Sequence, residues 1–239
     1  FNALTKNKVA AENYPFCTID PNIGIVEVSD KRLKQLSEID QPKKVIPAVI
    51  EFVDIAGLVA GASEGEGLGN KFLANIRETD AIAHVIRCFE NDDITHVSGK
   101  IDPLSDIQTI NTELLLSDLA IVEKSLTRLK KLSKTGNKDI LSELKVMESI
   151  EQELNEGNFL HDIYQNNKEI LKQYNFLTAK PFFLILNVAD DEILGNMYTR
   201  DVINYCNEKN ISNIIISANI EYDLYMMSDE EKKEYFELY

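Results

Sequence analysis

The sequence predicts an α/β fold: a doubly wound, mostly parallel sheet with an inserted antiparallel helical hairpin. Three observations lead there. Five apolar runs rich in β-branched residues recur at 23–28, 49–55, 81–89, 182–188 and 213–217, and helical patterns separate several of them. Their hydrophobicity is nearly continuous rather than alternating, as in strands buried on both faces between helices. Between the third and fourth runs the apolar period lengthens to that of a helix, breaks, and resumes, which places two helices inside the order of the strands.

Taken in order, Phe1-Asn2-Ala3-Leu4-Thr5-Lys6 reads as the tail of an amphipathic helix whose start lies upstream. The first three strands follow. Ile110, Leu114, Leu119, Val122, Leu126, Leu129 and Leu132 then fall at helical spacing until Thr135-Gly136-Asn137 interrupts them. Ile140, Leu144, Met147, Ile150 and Leu154 resume the spacing, and Glu156-Gly157 stops it with a C-terminal glycine. Two helices joined by so tight a turn lie antiparallel, and their leucines are expected to pack on each other. After the last two strands, Ser228 followed by Asp229, Glu230 and Glu231 is an N-cap with acids in the first turn of a closing helix. Both ends read as trimmed.

Over 239 residues, 44% hydrophobic and 27% charged exclude disorder, collagen and a coiled-coil filament as overall descriptions. A formal charge of −15 excludes a surface that clamps a nucleic-acid backbone all round, so any RNA contact must be a local patch. Cys17, Cys88 and Cys206 are far apart and fit neither a disulfide framework nor a zinc site, which points to a reducing compartment. No apolar run approaches the roughly 20 residues that span a bilayer.

Four strings carry the chemistry. In Phe52-Val53-Asp54-Ile55-Ala56-Gly57, an aspartate ends a strand and a glycine follows three residues on, the DxxG of a nucleotide switch. Asp54 can hold the second shell of a magnesium ion, and Gly57 can offer its N–H to a terminal phosphate. Asp-x-x-Gly is also ordinary turn chemistry. Gly61, Gly65, Gly67 and Gly69 suit a loop that must order and release. In the second string, Asn13 to Asn22, Thr18 can give a hydroxyl oxygen to Mg2+; a plain Pro-bracketed turn is the alternative. The third, Asn187-Val188-Ala189-Asp190, and the fourth, Ser217-Ala218-Asn219, each end a strand and would hold a base, an amide and a carboxylate reading its edge and a Ser-Ala turn supplying N–H groups. Each is common by chance. Four in this order, at the carboxyl ends of strands where α/β sheets bind ligands, are not.

On the strings FNALTK (1–6), NYPFCTIDPN (13–22), FVDIAGLVAGASEGEGLGNKFLANIRETDAIAHVIRCFEND (52–92), HVSGKIDP (96–103) and INTELLLSDL (110–119), the chain resembles the YchF, or Obg-like ATPase, family of translation-factor-related P-loop NTPases. The resemblance implies a Walker A loop of the form GxPNxGKST before FNALTK and a TGS domain after the last residue, neither present in this sequence; without that loop the piece is expected to grip nucleotide poorly. It further implies a nucleotide-binding domain in two parts, 1–104 and 177–239, around a helical domain at 105–176. The implied function is hydrolysis of ATP, and of GTP less well, with Mg2+, by a cytoplasmic, ribosome-associated (50S or 70S) regulator of translation or stress response that uses neither membrane nor DNA. A nucleotide-dependent binding switch with negligible turnover is the rival reading.

Leu58 stands where Ras-like GTPases place the glutamine that orients water, so a polar group must come from elsewhere. His96, in the loop after the strand ending at Phe89, is the candidate catalytic residue, since an imidazole can position or deprotonate water near neutral pH. A surface histidine without a role is its alternative. His84 reads as a hydrogen-bonded structural residue and His161 as solvated. The resemblance implies Asn-x-x-Glu and a preference for ATP, with Val188 in place of the GTPase lysine; Asp190 departs from the family glutamate, which would restore part of a guanine-reading geometry. Lys124, Arg128, Lys130, Lys131, Lys134, Lys138 and Lys145 gather near the hairpin turn, either as an rRNA contact or as solubilising charge.

Overall fold

All five predicted strands form, each ending within two residues of its apolar run: Asn22–Glu27 (β1), Val49–Asp54 (β2), Ile82–Arg87 (β3), Phe182–Asn187 (β4) and Ser212–Ile216 (β5). Among the described residues, helices with described bounds are Asn2–Thr5 (α1), Lys31–Asp40 (α2), Leu68–Glu78 (α3), Pro103–Leu132 (α4), Lys138–Asn155 (α5), Met197–Lys209 (α6), Ala218–Met226 (α7) and Asp229–Leu238 (α8). The computed structural model describes residues 1–5, 21–55, 68–91, 100–161 and 172–238. It divides into two units, residues 1–56 with 218–239, and residues 57–217.

In the first unit β1 and β2 pair antiparallel, from Asn22 opposite Asp54 to Glu27 opposite Val49. The expectation that these runs are buried on both faces does not hold among the described residues. Ile23, Ile25 and Val49 share one face and each is more than half exposed. Hydrophobicity records a strand's demand for cover, not the neighbour that supplies it. Gly24 is set by close approach: a Cβ there would lie 2.2 Å from Cγ2 of Thr5, whose hydroxyl donates to the carbonyl of Phe1 (3.2 Å) at the end of α1. The Ser228 cap forms as read, the Glu231 amide donating to Ser228 Oγ (3.3 Å) and the Ser228 amide to Glu231 Oε2 (2.7 Å), a reciprocal capping box. Helix α2 has no counterpart in the sequence reading. Its cap is Asp30, which accepts from the Arg32 amide (2.8 Å) and forms an exposed ion pair with the Arg32 guanidinium.

In the second unit β3, β4 and β5 form a parallel sheet in that order, with Arg87 opposite Asn187 and Asn187 opposite Ile216. Leu184, Leu186 and Val188 point to one face, where Ile107 of α4 and Val202 and Cys206 of α6 close a core with Ile86 and Cys88. Both cysteines are free and buried. Cys88 is pushed up to about 12 by burial, aided by the carboxylates of Asp106 and Glu192, so its thiol is inert at neutral pH.

The hairpin forms where predicted. Asp102 caps α4, accepting from the Ser105 amide (3.1 Å), with Pro103 at the first helical position. The helix runs 30 residues, roughly 45 Å at 1.5 Å per residue. Gly136 turns the chain at φ +76°, Asn137 caps α5 through the Asp139 amide (2.8 Å), and Gly157 ends that helix at φ +80°. Val122, Leu126 and Leu129 meet Met147, Ile150 and Leu154, closed over by Leu160 and Phe176. The leucine pattern is therefore mutual packing. Leu132, beyond this core, is exposed.

Between the sheet core and the hairpin core stands a buried polar cluster. Asp118, in the middle of α4 and fully buried, accepts from the Leu177 amide (3.1 Å), the Thr178 amide (2.8 Å), the Thr178 hydroxyl (2.9 Å) and the Arg77 guanidinium (3.1 Å). Arg77, in the last turn of α3, also donates to Ser117 Oγ (2.7 Å) and to the Asn175 carbonyl (3.0 Å). Lys180 closes the end of α3, donating to the carbonyls of Arg77 (2.9 Å) and Thr79 and to Asn175 Oδ1 (3.0 Å).

His84 corrects an expectation. Its Nδ1 has no hydrogen-bond partner, the ring lies 6.0 Å from that of Phe182, and burial pulls its pKa from 6.5 down to about 4. The fold thus holds the neutral ring, while the unfolded chain takes up a proton below pH 6.5. The corresponding stability, about 3 kcal/mol, is present above pH 6.5 and is lost as pH falls toward 4. Urea unfolding at pH 7 and pH 4 is expected to show His84→Leu losing about 3 kcal/mol less than the parent over that interval; equal losses would assign the acid sensitivity elsewhere. His161 is exposed, as read, with Nδ1 3.2 Å from the Ala179 carbonyl.

Candidate functional site

The carboxyl ends of β3, β4 and β5 lie side by side, and the ladder runs one residue beyond β3 and β4: the Cys88 amide donates to the Asn187 carbonyl (2.8 Å) and the Val188 amide to the Ile216 carbonyl (2.9 Å). This brings the third string beside Ser217, the first residue of the fourth. Asn187 is half-buried at the end of β4. The next residue, Val188, turns into the sheet core and is 3% exposed, so its side chain anchors the loop from below. A 3-10 turn over Asp190–Glu192 carries the Asp190 carboxylate to the surface. Ser217, buried at the end of β5, donates its hydroxyl to Asp190 Oδ1 at 2.5 Å. The two loops thus share one oriented carboxylate, the arrangement needed to present an acceptor to the edge of a bound group.

Residues that sequence reasoning missed lock this rim. Asn196 donates to the Cys88 carbonyl (2.6 Å) and to Glu192 Oε2 (2.8 Å), tying the loop after β4 to that after β3. The same residue caps α6 in a reciprocal pair with Thr199, and the asparagine after Gly195 was the available signal. Arg87, the register partner of Asn187, donates to the carbonyls of Phe89 (3.2 Å) and Asn91 (3.0 Å) and stacks 5.0 Å over the Phe89 ring. Tyr198 donates to Glu90 Oε1 (2.6 Å).

The remaining predicted residues fall in the first unit or outside the described residues. Ala218 and Asn219 open α7, in the first unit, and are exposed. Asp54 ends β2, also in the first unit, half-buried opposite Asn22. Thr18, Gly57 and His96 lie outside the described residues. Among the described residues no three His, Cys, Asp or Glu side chains converge on a metal position. A lone carboxylate such as Asp54 is nonetheless the hard oxygen donor magnesium takes, since that ion keeps most of its waters and bonds to substrate phosphates. No described helix is long and apolar enough to cross a membrane.

Residues 1–124 match the family described as 50S ribosome-binding GTPase, which is more than half of the chain. The chain belongs to that family. It is 52% identical over 239 residues to the ribosome-binding ATPase YchF of Haemophilus influenzae, covering 99% of this chain and 66% of that protein. Against the protein of the same name from Bacillus subtilis it is 45% identical over 242 residues, again 99% of this chain and 66% of the other. The structure of the Schizosaccharomyces pombe YchF GTPase superposes with a TM-score of 0.79 at 35% identity, covering 98% of this chain and 65% of that one. The α/β, P-loop NTPase-like fold expected from the sequence is thereby established. The chain spans 66% of the length of these curated relatives.

Proposed function

We propose that this chain forms the nucleotide-handling part of a Mg2+-dependent nucleoside-triphosphate hydrolase that prefers ATP to GTP and acts on the ribosome in the cytoplasm. The observation that carries the proposal is the Ser217 to Asp190 bond beside Asn187, which gathers an amide and an oriented carboxylate at the carboxyl rim of a parallel sheet. The names of the relatives, ribosome-binding ATPase and YchF GTPase, support it. In this reading Asn187 pairs with N6 and N7 of adenine, as amides do on DNA. Val188 supports the loop through the core, and Ser217, Ala218 and Asn219 frame the base. Asp54 and Thr18 hold the magnesium, whose charge would neutralise the phosphates. Gly57 offers its N–H to the terminal phosphate, and His96 positions water. We assign residues 1–104 and 177–239 to the nucleotide domain and 105–176 to the helical insertion.

Calorimetric titration of the full-length protein with ATP and GTP tests the base preference. ATP is expected to bind more tightly, and equal Kd values would overturn the preference. Single-turnover phosphate release with and without ribosomes separates the hydrolase from a switch with negligible turnover: release that ribosomes stimulate supports the first, and occupancy without release the second.

For the ribosome, we propose the hairpin tip as an rRNA contact. Lys130, Lys131, Lys134 and Lys138 flank the Gly136 turn, whereas Arg128 is engaged with the Tyr174 hydroxyl (3.0 Å) and Glu143 (3.6 Å). Charge reversal at Lys130, Lys131 and Lys134 is expected to weaken ribosome co-sedimentation and to flatten its log–log salt dependence by as much as about 3 in slope. Unchanged sedimentation at every salt concentration would remove the tip from the interface.

A further inference from the structure

We propose that Asn196 is a positioning residue for base selection: its side chain holds the turn that carries Asp190 against the end of β3, and so sets how tightly GTP binds relative to ATP. The inference deepens the nucleotide-binding reading above and rests on it. Asn196 belongs to neither base-reading string, yet both ends of its amide are committed. Its Oδ1 accepts from the Thr199 amide (3.0 Å), which caps α6. Its Nδ2 donates to the Cys88 carbonyl (2.6 Å) and to Glu192 Oε2 (2.8 Å), which uses both of its hydrogens. The reversed amide would set an oxygen against a carbonyl and a carboxylate, so only this orientation satisfies all three partners. A cap needs only the oxygen. The reciprocal bond, to Thr199 Oγ1 (2.7 Å), comes from the backbone amide of residue 196 and not from its side chain. Serine would therefore cap α6 as well; what asparagine adds is the NH2.

That NH2 acts where the base would be read. Glu192 ends the 3-10 turn that Asp190 opens, so a charge-assisted bond on Glu192 fixes the turn as a whole. Cys88 continues β3, and its own amide donates to the Asn187 carbonyl (2.8 Å). Asn196 thus ties the turn to the same residue that anchors Asn187, from the β3 side, while Ser217 holds the Asp190 carboxylate from the β5 side at 2.5 Å. The two holds differ in kind. Ser217 orients the carboxylate, and Asn196 fixes the turn that bears it. Guanine needs both oxygens of that carboxylate on its two N–H donors at once. Adenine pairs with the Asn187 amide, whose backbone is set by the register with Arg87 and Ile216. Loosening the turn therefore weakens GTP more than ATP.

The test uses the full-length protein with Mg2+, the Kd values of adenylyl and guanylyl imidodiphosphate being read by competition against N-methylanthraniloyl-ADP. Asn196→Ser keeps a good cap and removes the NH2. Its melting temperature is expected to stay within about 4 °C of the parent. Its affinity for the guanine analogue is expected to fall about tenfold and that for the adenine analogue about twofold, the span of one net hydrogen bond. Glu192→Ala cuts the same tie from its other end without touching the cap. It is expected to shift the ratio of the two Kd values in the same direction, and it carries the test alone if Asn196→Ser does not fold. In an Asp190→Ala background, Asn196→Ser is expected to add less than about twofold to either Kd, because it acts through the turn. A ratio within about twofold of the parent, or moved toward guanine, in either single variant that folds overturns the inference. So does a shift that survives undiminished without Asp190. Either result leaves Asn196 a helix cap and the nucleotide reading intact. A parent that binds neither analogue overturns both.

Discussion

Asp118→Ala is expected to lower the unfolding free energy by about 3–5 kcal/mol, the range for breaking a buried ion pair from one side. The residue is fully buried, and its loss leaves the Leu177 amide, the Thr178 amide and the Thr178 hydroxyl without an acceptor and Arg77 without a counter-charge. Burial pushes the Asp118 carboxyl up, but the Thr178 amide, the Arg77 charge and the Leu177 amide pull against it. Asparagine is no repair, because its NH2 would face groups that are themselves donors. Arg77→Gln is expected to cost less, about 1–2 kcal/mol, since that side chain is partly exposed and water can serve the carboxylate it leaves. Urea unfolding followed by circular dichroism measures both. An Asp118→Ala protein within about 1 kcal/mol of the parent would mean the cluster is decorative.

Asp190→Ala is expected to weaken nucleotide binding by about 10- to 100-fold, the loss of one charge-assisted hydrogen bond worth roughly 1.5–3 kcal/mol. The effect has two parts. In the proposed reading the acceptor for the base edge disappears, and the buried Ser217 hydroxyl loses its 2.5 Å bond to the carboxylate. GTP is expected to suffer more than ATP, because guanine presents two N–H donors on the edge a carboxylate reads. Ser217→Ala, which removes one bond to the carboxylate without deleting it, is expected to cost about tenfold or less. Calorimetry on the full-length protein gives all the constants. Affinities unchanged within twofold for both nucleotides in the Asp190→Ala protein would detach this rim from base recognition.

The elements that could be read from the sequence were those whose signals are local. The hairpin was legible because Gly136 and Gly157 each sit at a backbone angle that favours glycine and because its apolar spacing is satisfied by its own two helices. The strands were legible for the same reason, since a β-branched run excludes most alternatives. What could not be read was who faces whom. Nothing in the run at 49–55 says that it pairs antiparallel with 22–27 or that Val49 stays exposed. The nearness of Asn187 to Ser217 followed from their shared place at strand ends, but the bond between Ser217 and Asp190 depends on a register that only the folded sheet fixes. Arg77, Asp118 and Lys180 were invisible as a group because 41 and 103 residues separate the partners of their bonds. Val188 shows the opposite failure, a motif position whose side chain serves the core.

By its position in the chain the hairpin is an insertion, yet α4 makes it hard to treat as a detachable module. One unbroken helix has its first turns in the sheet's apolar interior and its last turns in that of the hairpin. Fraying either end shortens the helix that the other end needs, so the two interiors are expected to melt in a single transition, their backbone amides exchanging with solvent as one cooperative block.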